Sequence, residues 1–284
     1  MHPRATFPTT LATFRAAVLV VCAVLLGAVP AVGSEPAVDW AMAGSTLENV
    51  RAVAPTAAAA HFNHAGVHIT GPSDRKQYQA PAGWVAKTMV NYKSYAAFVA
   101  DIENNRIDDR IKTMFYNPEM WSYTPLPEQQ DPYTYMRSFC DLAHSKGWNC
   151  TVAPARNLVA VPGSVCPQQP REDRSAAYLR CGLASAGARY ADAFDIQAQI
   201  HQNDPVAYRE FVTKAAAQAR VANPAVAVRS NLTTESQGTQ QTGQVLCSAH
   251  AAVKDTVSGH WLNVTDATGQ IAVDALELSA AGRC

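Results

Sequence analysis

The chain has 284 residues, of which 23 are basic and 23 are acidic, so its formal net charge at neutral pH is zero. This balance, together with the absence of any basic block, excludes a nucleic-acid-binding protein of the usual kind, because affinity for phosphates depends on clustered positive charge. Hydrophobic residues make up 48% of the chain, which excludes a disordered protein and is enough for one large domain.

The first 33 residues have the order of a secretory signal peptide. Arg4 and Arg15 are followed by an apolar run over residues 16–29, and a small-residue cleavage site ends at Gly33. The apolar run is too short for a permanent membrane helix, and an uncleaved N-terminal anchor is the alternative. We therefore expect a secreted, extracellular protein that loses its signal peptide near Gly33 and has no membrane contact in its mature form.

The rest of the chain is predicted to be an Ala-rich N-terminal spacer over residues 34–60 and one domain over residues 61–284. In this domain, short strand-like runs alternate with longer helical patterns. The predicted strands cover residues 67–70, 86–91, 111–117, 150–154, 193–199, 225–232 and 260–264. The predicted helices cover residues 95–104, 132–146, 204–223, 242–255 and 269–280, where apolar residues recur every three or four positions.

This alternation predicts an α/β fold with a parallel sheet covered by helices. An eighth strand is expected either near Val38 or in the Pro-rich segment 162–174. The number of strands and the length of the domain predict a single-domain (β/α)8 barrel of the TIM type. An open, doubly wound sheet is the alternative, although no glycine-rich phosphate loop follows any predicted strand.

Six cysteines beyond the signal peptide predict three disulfides, since an exported protein folds in an oxidising compartment. Sequential pairing is favoured, with Cys166 and Cys181 closing a local loop and Cys247 tying down Cys284 at the end of the sequence. A reduced pair, or a pair that joins two chains, is the alternative. The six are Cys140, Cys150, Cys166, Cys181, Cys247 and Cys284.

Polar and aromatic side chains gather where several predicted strands end. In a (β/α) barrel the active site lies at the carboxyl ends of the strands, so these residues are candidates for substrate binding. Aromatic rings stack on sugars and amides bind hydroxyl groups, so the set predicts a carbohydrate or another small neutral ligand. Its members are Tyr116, Asn117, Trp121, Arg156, Asn157, Gln197, Gln199, Asn231, Trp261 and Asn263.

Two carboxylates are the candidate catalytic pair. Glu119 directly follows a predicted strand, and Trp121 nearby would desolvate it and raise its pKa, as a general acid requires. Asp195 shares a strand face with Gln197 and would be the second carboxylate of a glycoside hydrolase. The alternative is that Glu119 forms a structural pair with Arg156.

Other chemistries have weaker support. His61, His64 and His68 lack a carboxylate partner and a standard ligand spacing, so no metal site and no cofactor are predicted. Serine hydrolysis lacks its usual GxSxG turn. A non-catalytic barrel that binds a glycan or small metabolite remains an alternative, as does a lyase or isomerase that uses Tyr116 or Arg156. The sequence does not predict an oligomeric state.

Three segments taken together resemble a known group of proteins. YNPEMWSYTPLPEQQDP, APARNL and FDIQAQ resemble uncharacterised secreted barrel proteins of actinobacteria, which are similar in architecture to glycoside hydrolases. The resemblance covers residues 89–264. It implies secretion and a barrel, and it implies no particular reaction.

Overall fold

The computed structural model describes residues 38–71 and 74–284. The predicted signal peptide lies outside the described residues. Eight parallel strands follow one another along the chain, and the third is interrupted at Met89. They are β1 (Asp39–Ala43), β2 (Val67–Thr70), β3 (Lys87–Thr88 and Val90–Tyr92), β4 (Thr113–Tyr116), β5 (Asn149–Val152), β6 (Ala193–Ile196), β7 (Ala227–Thr233) and β8 (Gly259–Asn263).

The interrupted strand β3 closes the sheet into a ring. Its first part pairs with β2 and its second part pairs with β4, while β8 pairs with both β7 and β1. Every one of these pairings is parallel. The structure therefore confirms the (β/α)8 barrel and excludes the open sheet. The eighth strand is the one that begins beside Val38, which was one of the two expected places.

Helices cover the outside of the ring. They are α1 (Gly44–Val53), α2 (Pro55–Phe62), α3 (Tyr95–Glu103), α4 (Leu126–Gln130), α5 (Pro132–Ser145), α6 (Arg174–Arg180), α7 (Leu183–Ala188), α8 (Pro205–Ala222), α9 (Gly243–Val253) and α10 (Gly269–Ala280). The five predicted helices correspond to α3, α5, α8, α9 and α10. Asp131 and Asp204 cap α5 and α8 by accepting hydrogen bonds from first-turn N–H groups, and proline follows each of them. Of the helices described, none is long and apolar enough to cross a membrane.

The prediction of a spacer over residues 34–60 is wrong from residue 39 onward, where the structure has a strand and helices. This segment supplies β1, α1 and most of α2, and Leu47, Val50 and Ala58 are fully buried. Alanine is the strongest helix former, so an Ala-rich stretch is as compatible with a packed helix as with a linker. The barrel therefore includes the first strand and its helices.

The three disulfides have the predicted sequential pairing. Cys140 on α5 bonds to Cys150 on β5, Cys166 bonds to Cys181, and Cys247 on α9 bonds to Cys284. The Cα–Cα distances are 5.2, 5.8 and 5.0 Å, within the normal range for a disulfide. One bond joins neighbouring elements of the barrel wall, one closes the Pro-rich loop, and one attaches the last residue to a helix.

Candidate functional site

A cavity of about 510 Å³ opens at the carboxyl ends of the strands. Its floor contains the rings of Phe115 and Trp261, which stack with their centroids 4.9 Å apart. Most of the predicted site residues lie on its wall. They are Asn117, Glu119, Trp121, Arg156, Gln197, Gln199, Asn231, Trp261 and Asn263.

Glu119 follows β4 and lies partly buried on this wall. Its Oε1 atom accepts hydrogen bonds from Asn117 Nδ2 at 3.2 Å and from Gln197 Nε2 at 3.4 Å. Burial raises the pKa of Glu119 above its ordinary value, while these two hydrogen bonds and the Lys93 ammonium lower it by less. The net shift is in the direction that a general acid needs, because a raised pKa keeps the carboxyl group protonated to higher pH.

Gln197 joins three neighbouring strands beneath Glu119. Besides its contact with Glu119, its Nε2 atom donates to Asn117 Oδ1 at 2.7 Å and to the Ala153 carbonyl at 3.0 Å. These bonds orient the Asn117 amide so that its nitrogen faces the carboxylate. The polar face predicted along residues 193–199 therefore points Gln197 into the barrel mouth and makes it a positioning group for Glu119.

Lys93 and Asp74 are wall residues that the sequence reasoning missed. The Lys93 ammonium lies 4.2 Å from the Trp121 ring centroid and 4.3 Å from the Tyr123 ring centroid, a cation–π arrangement. Asp74 Oδ1 accepts a hydrogen bond from the Lys93 backbone N–H at 2.9 Å, and burial raises the pKa of Asp74. Lys93 comes just after β3, so it could have been predicted from its position at the end of a strand. Asp74 lies in a loop without a recognisable pattern.

Asp195 does not lie on the cavity wall, which corrects its predicted placement beside Glu119. Its side chain is fully buried, and its Oδ1 atom accepts a hydrogen bond from Arg229 Nε at 2.6 Å. Burial raises the pKa of Asp195, and the Arg229 guanidinium opposes that rise. Asp195 precedes Gln197 by two residues on a strand that runs toward the cavity, so it lies about 7 Å deeper in the barrel.

Tyr116 and Asn157 also lie off the cavity wall. The Tyr116 ring faces the helices, where it stacks on Phe139 at 4.9 Å, and its hydroxyl donates to Glu128 Oε2 at 2.8 Å. The reason is the alternation of β4, because Asn117 points inward and its neighbour must point outward. Asn157 Oδ1 accepts from the Met120 backbone N–H at 2.9 Å, so it supports the loop that follows Glu119.

Arg156 lies on the cavity wall without the predicted partner. Among the described residues it forms no ion pair with Glu119 or with any other carboxylate. Its Nη1 donates instead to Ser175 Oγ at 2.9 Å, and that oxygen lies 2.8 Å from His201 Nε2. Burial lowers the pKa of Arg156. The structural alternative, a Glu119–Arg156 pair, is therefore not observed.

Three amide oxygens on the wall are buried and have no hydrogen-bond partner in the described protein. They belong to Asn91, Gln199 and Asn231. Buried polar atoms in proteins are nearly always paired, so three unpaired oxygens behind one wall are unusual. Each has almost no accessible surface, and a ligand would meet it only after the side chain rotates. Asn91 is the last residue of a predicted strand, so it could have been predicted as a site residue from that position.

The histidines flagged in the sequence have no metal-binding arrangement. No group of three or more His, Cys, Asp and Glu side chains that suits a metal ion occurs within residues 38–71 and 74–284. His68 lies on β2, where burial lowers its pKa to about 3 and the charges of Arg229 and Lys87 add to the effect.

No known family model and no curated protein matches the chain. Among the solved structures similar to it is a GH18 chitinase from Pseudoalteromonas aurantia, with a TM-score of 0.49 and 9% identity, over 87% of this chain and 100% of that chain. The catalytic domain of a family GH18 chitinase from the fern Peteris ryukyuensis has a TM-score of 0.42 and 12% identity, over 75% of this chain and 72% of that chain. The N-terminal domain of a protein provisionally named as an aldolase from Bacteroides vulgatus has a TM-score of 0.42 and 7% identity, over 87% of this chain and 81% of that chain. At these values the resemblance does not transfer a function to this chain.

Proposed function

We propose that this protein is a secreted glycoside hydrolase with Glu119 as its general acid. The observation that carries the proposal is the position of Glu119, on the wall of the barrel-end cavity, with its pKa raised by burial. The partly exposed Trp261 ring on the cavity wall, with the buried Phe115 ring stacked behind it, suits the face of a sugar. The three disulfides support export to an oxidising compartment.

The hydrogen bonds around Glu119 assign its two oxygens different roles. Asn117 and Gln197 both donate to Oε1, so Oε1 is the acceptor and the acidic proton belongs on Oε2. A glycosidic oxygen bound beside Oε2 receives this proton as the bond to the sugar ring breaks, and the positive charge that develops is shared by the ring oxygen and the anomeric carbon.

A second carboxylate must activate water or attack the sugar. Because Asp195 is paired with Arg229 deep in the barrel, we assign this role to Asp74. Asp74 lies on the same wall, and the Lys93 ammonium acts on the pKa of both Asp74 and Glu119. Both carboxyl groups therefore lie within the electrostatic influence of one cationic side chain.

The test is hydrolysis of a panel of oligosaccharides with analysis of the products. Glu119→Gln keeps the shape of the side chain and removes the proton, so turnover should fall by about 10²–10⁴-fold, the usual contribution of general acid catalysis. Glu277→Gln is the matched control, because it makes the same change at an exposed position on α10 that is not on the cavity wall, and it should leave turnover within about threefold. Equal turnover by wild type and Glu119→Gln would overturn the assignment.

A binding protein without catalysis is the second candidate. The amide residues Asn91, Gln199 and Asn231 on the cavity wall favour it, because amides bind hydroxyl groups without reacting. If saccharides bind with the same affinity to wild type and to Glu119→Gln, and no panel member is cleaved, the barrel is a glycan-binding protein and the hydrolase proposal fails.

A further inference from the structure

Arg156 is a cation on the cavity wall that forms no ion pair within the described residues. It begins the short 3-10 helix Arg156–Ala160 directly after β5. Within the part of the chain that the structure describes, its hydrogen bond goes to the neutral Ser175, and no carboxylate lies within ion-pairing distance. Arg229, the other largely buried arginine, is paired with Asp195 at 2.6 Å.

An unpaired and partly desolvated charge destabilises a folded protein. The Arg156 side chain is half-buried, and burial lowers its pKa. An anion that binds at this wall would supply the missing counter-charge. A cation kept at this cost, on the wall of a cavity, is typical of a site for an anionic group of a ligand.

The guanidinium is held in a fixed orientation. Ser175 Oγ accepts from Arg156 Nη1 at 2.9 Å, so the Ser175 hydroxyl proton is left to point at His201 Nε2, 2.8 Å away. The Nε and Nη2 atoms of Arg156 have no protein partner among the described residues. Ser175 and His201 are therefore positioning residues that leave one edge of the guanidinium for a ligand.

The charges around this part of the wall favour an anion locally. The exposed Arg174 adds positive charge beside Arg156, and Asp173 partly offsets it. The acidic wall residues Asp74, Glu119 and Glu235 come from other loops, after β2, β4 and β7 respectively. An anionic group of the ligand would therefore be bound at Arg156 and repelled by the ionised acids of the wall, which would orient the ligand in the cavity.

We propose that Arg156 is a specificity-determining residue and that the substrate is an acidic carbohydrate, one that carries a carboxylate such as that of a uronic acid. This rests on the proposed hydrolase function and names its substrate class. A planar guanidinium with one free edge matches the two oxygens of a carboxylate, and a single arginine neutralises one negative charge. This proposal replaces the neutral ligand that was expected from the balanced net charge with an acidic one, because the charge close to the cavity decides which ligand binds.

The test measures binding by calorimetry to the Glu119→Gln protein, so that turnover does not interfere. The probes are uronic-acid disaccharides and trisaccharides, each compared with its own methyl ester, which keeps the sugar and removes the charge. Sugar phosphates and sugar sulfates form a third arm. The acids should bind about 10- to 100-fold more tightly than their esters, the usual effect of a charge-assisted hydrogen bond.

Arg156→Gln should remove this difference between acid and ester, and Arg156→Lys should restore part of it, since lysine keeps the charge without the fork. Arg137→Gln is the matched control, because it makes the same change at an exposed arginine on α5 that is not on the cavity wall, and it should leave at least a third of the affinity. If the esters bind as tightly as the acids, if no acid in the panel binds, or if phosphates or sulfates bind better, the inference fails. These outcomes are independent of turnover, so hydrolysis lost in Glu119→Gln with equal binding of acid and ester would reject only the substrate class.

Discussion

Replacing Asp195 by leucine is expected to destabilise the barrel strongly without acting on catalysis. Leucine has the branched shape of aspartate, so the change removes the charge and leaves little empty space. The Arg229 guanidinium, with 4% of its side chain exposed, then loses its ion-pair partner. Breaking a buried ion pair by removing one partner costs about 3–5 kcal/mol. At about 2–4 °C per kcal/mol for a domain of this size, the Tm should fall by about 6–20 °C.

The double variant Asp195→Leu with Arg229→Met provides the control. It replaces both charges by apolar groups and removes two buried atoms, Asp195 Oδ2 and Arg229 Nη2, that have no partner within the described residues. Its free energy of unfolding, measured by urea titration with the disulfides intact, should recover most of the loss. A double variant that stays as unstable as the single one would refute the ion-pair reasoning. A stable double variant that has lost hydrolysis would show that Asp195 is catalytic.

Two further predictions concern pH. The Lys93 ammonium lowers the pKa of Glu119, so Lys93→Met should move the alkaline limb of the kcat/KM profile to higher pH, and a shift to lower pH would contradict the assigned acid. Burial lowers the pKa of His260 to about 3, so unfolded His260 takes up a proton near pH 6.5 while the folded form does not. Stability should therefore fall by up to about 1.4 kcal/mol per pH unit as the pH drops from about 6.5 toward 3. His260→Asn should flatten this dependence in urea titrations, and an unchanged slope would contradict it.

Local patterns in the sequence predicted much of the fold. The Asp-Pro starts of α5 and α8 and the three-to-four spacing of apolar residues act within one turn of helix, so they were visible without the tertiary structure. Glu119 was visible for a related reason, since it directly follows a strand and strand ends define one end of a parallel barrel. Ala58 shows the limit, because alanine is common both in linkers and in packed helices.

Depth along the barrel and convergence of loops were decided only by the tertiary structure. Alternation predicts which face a strand residue takes, so it grouped Asp195 with Gln197, but it does not say which of them reaches the cavity. Lys93 and Asp74 meet through a loop, and Arg156 loses its predicted partner to Ser175. Such contacts join residues that are distant in sequence, and their geometry depends on the closure of the whole ring. The sequence by itself determined seven of the eight strands in their order, five of the helices described and the position of Glu119 after a strand. The closed ring alone determined which charges face one another at the mouth of the barrel.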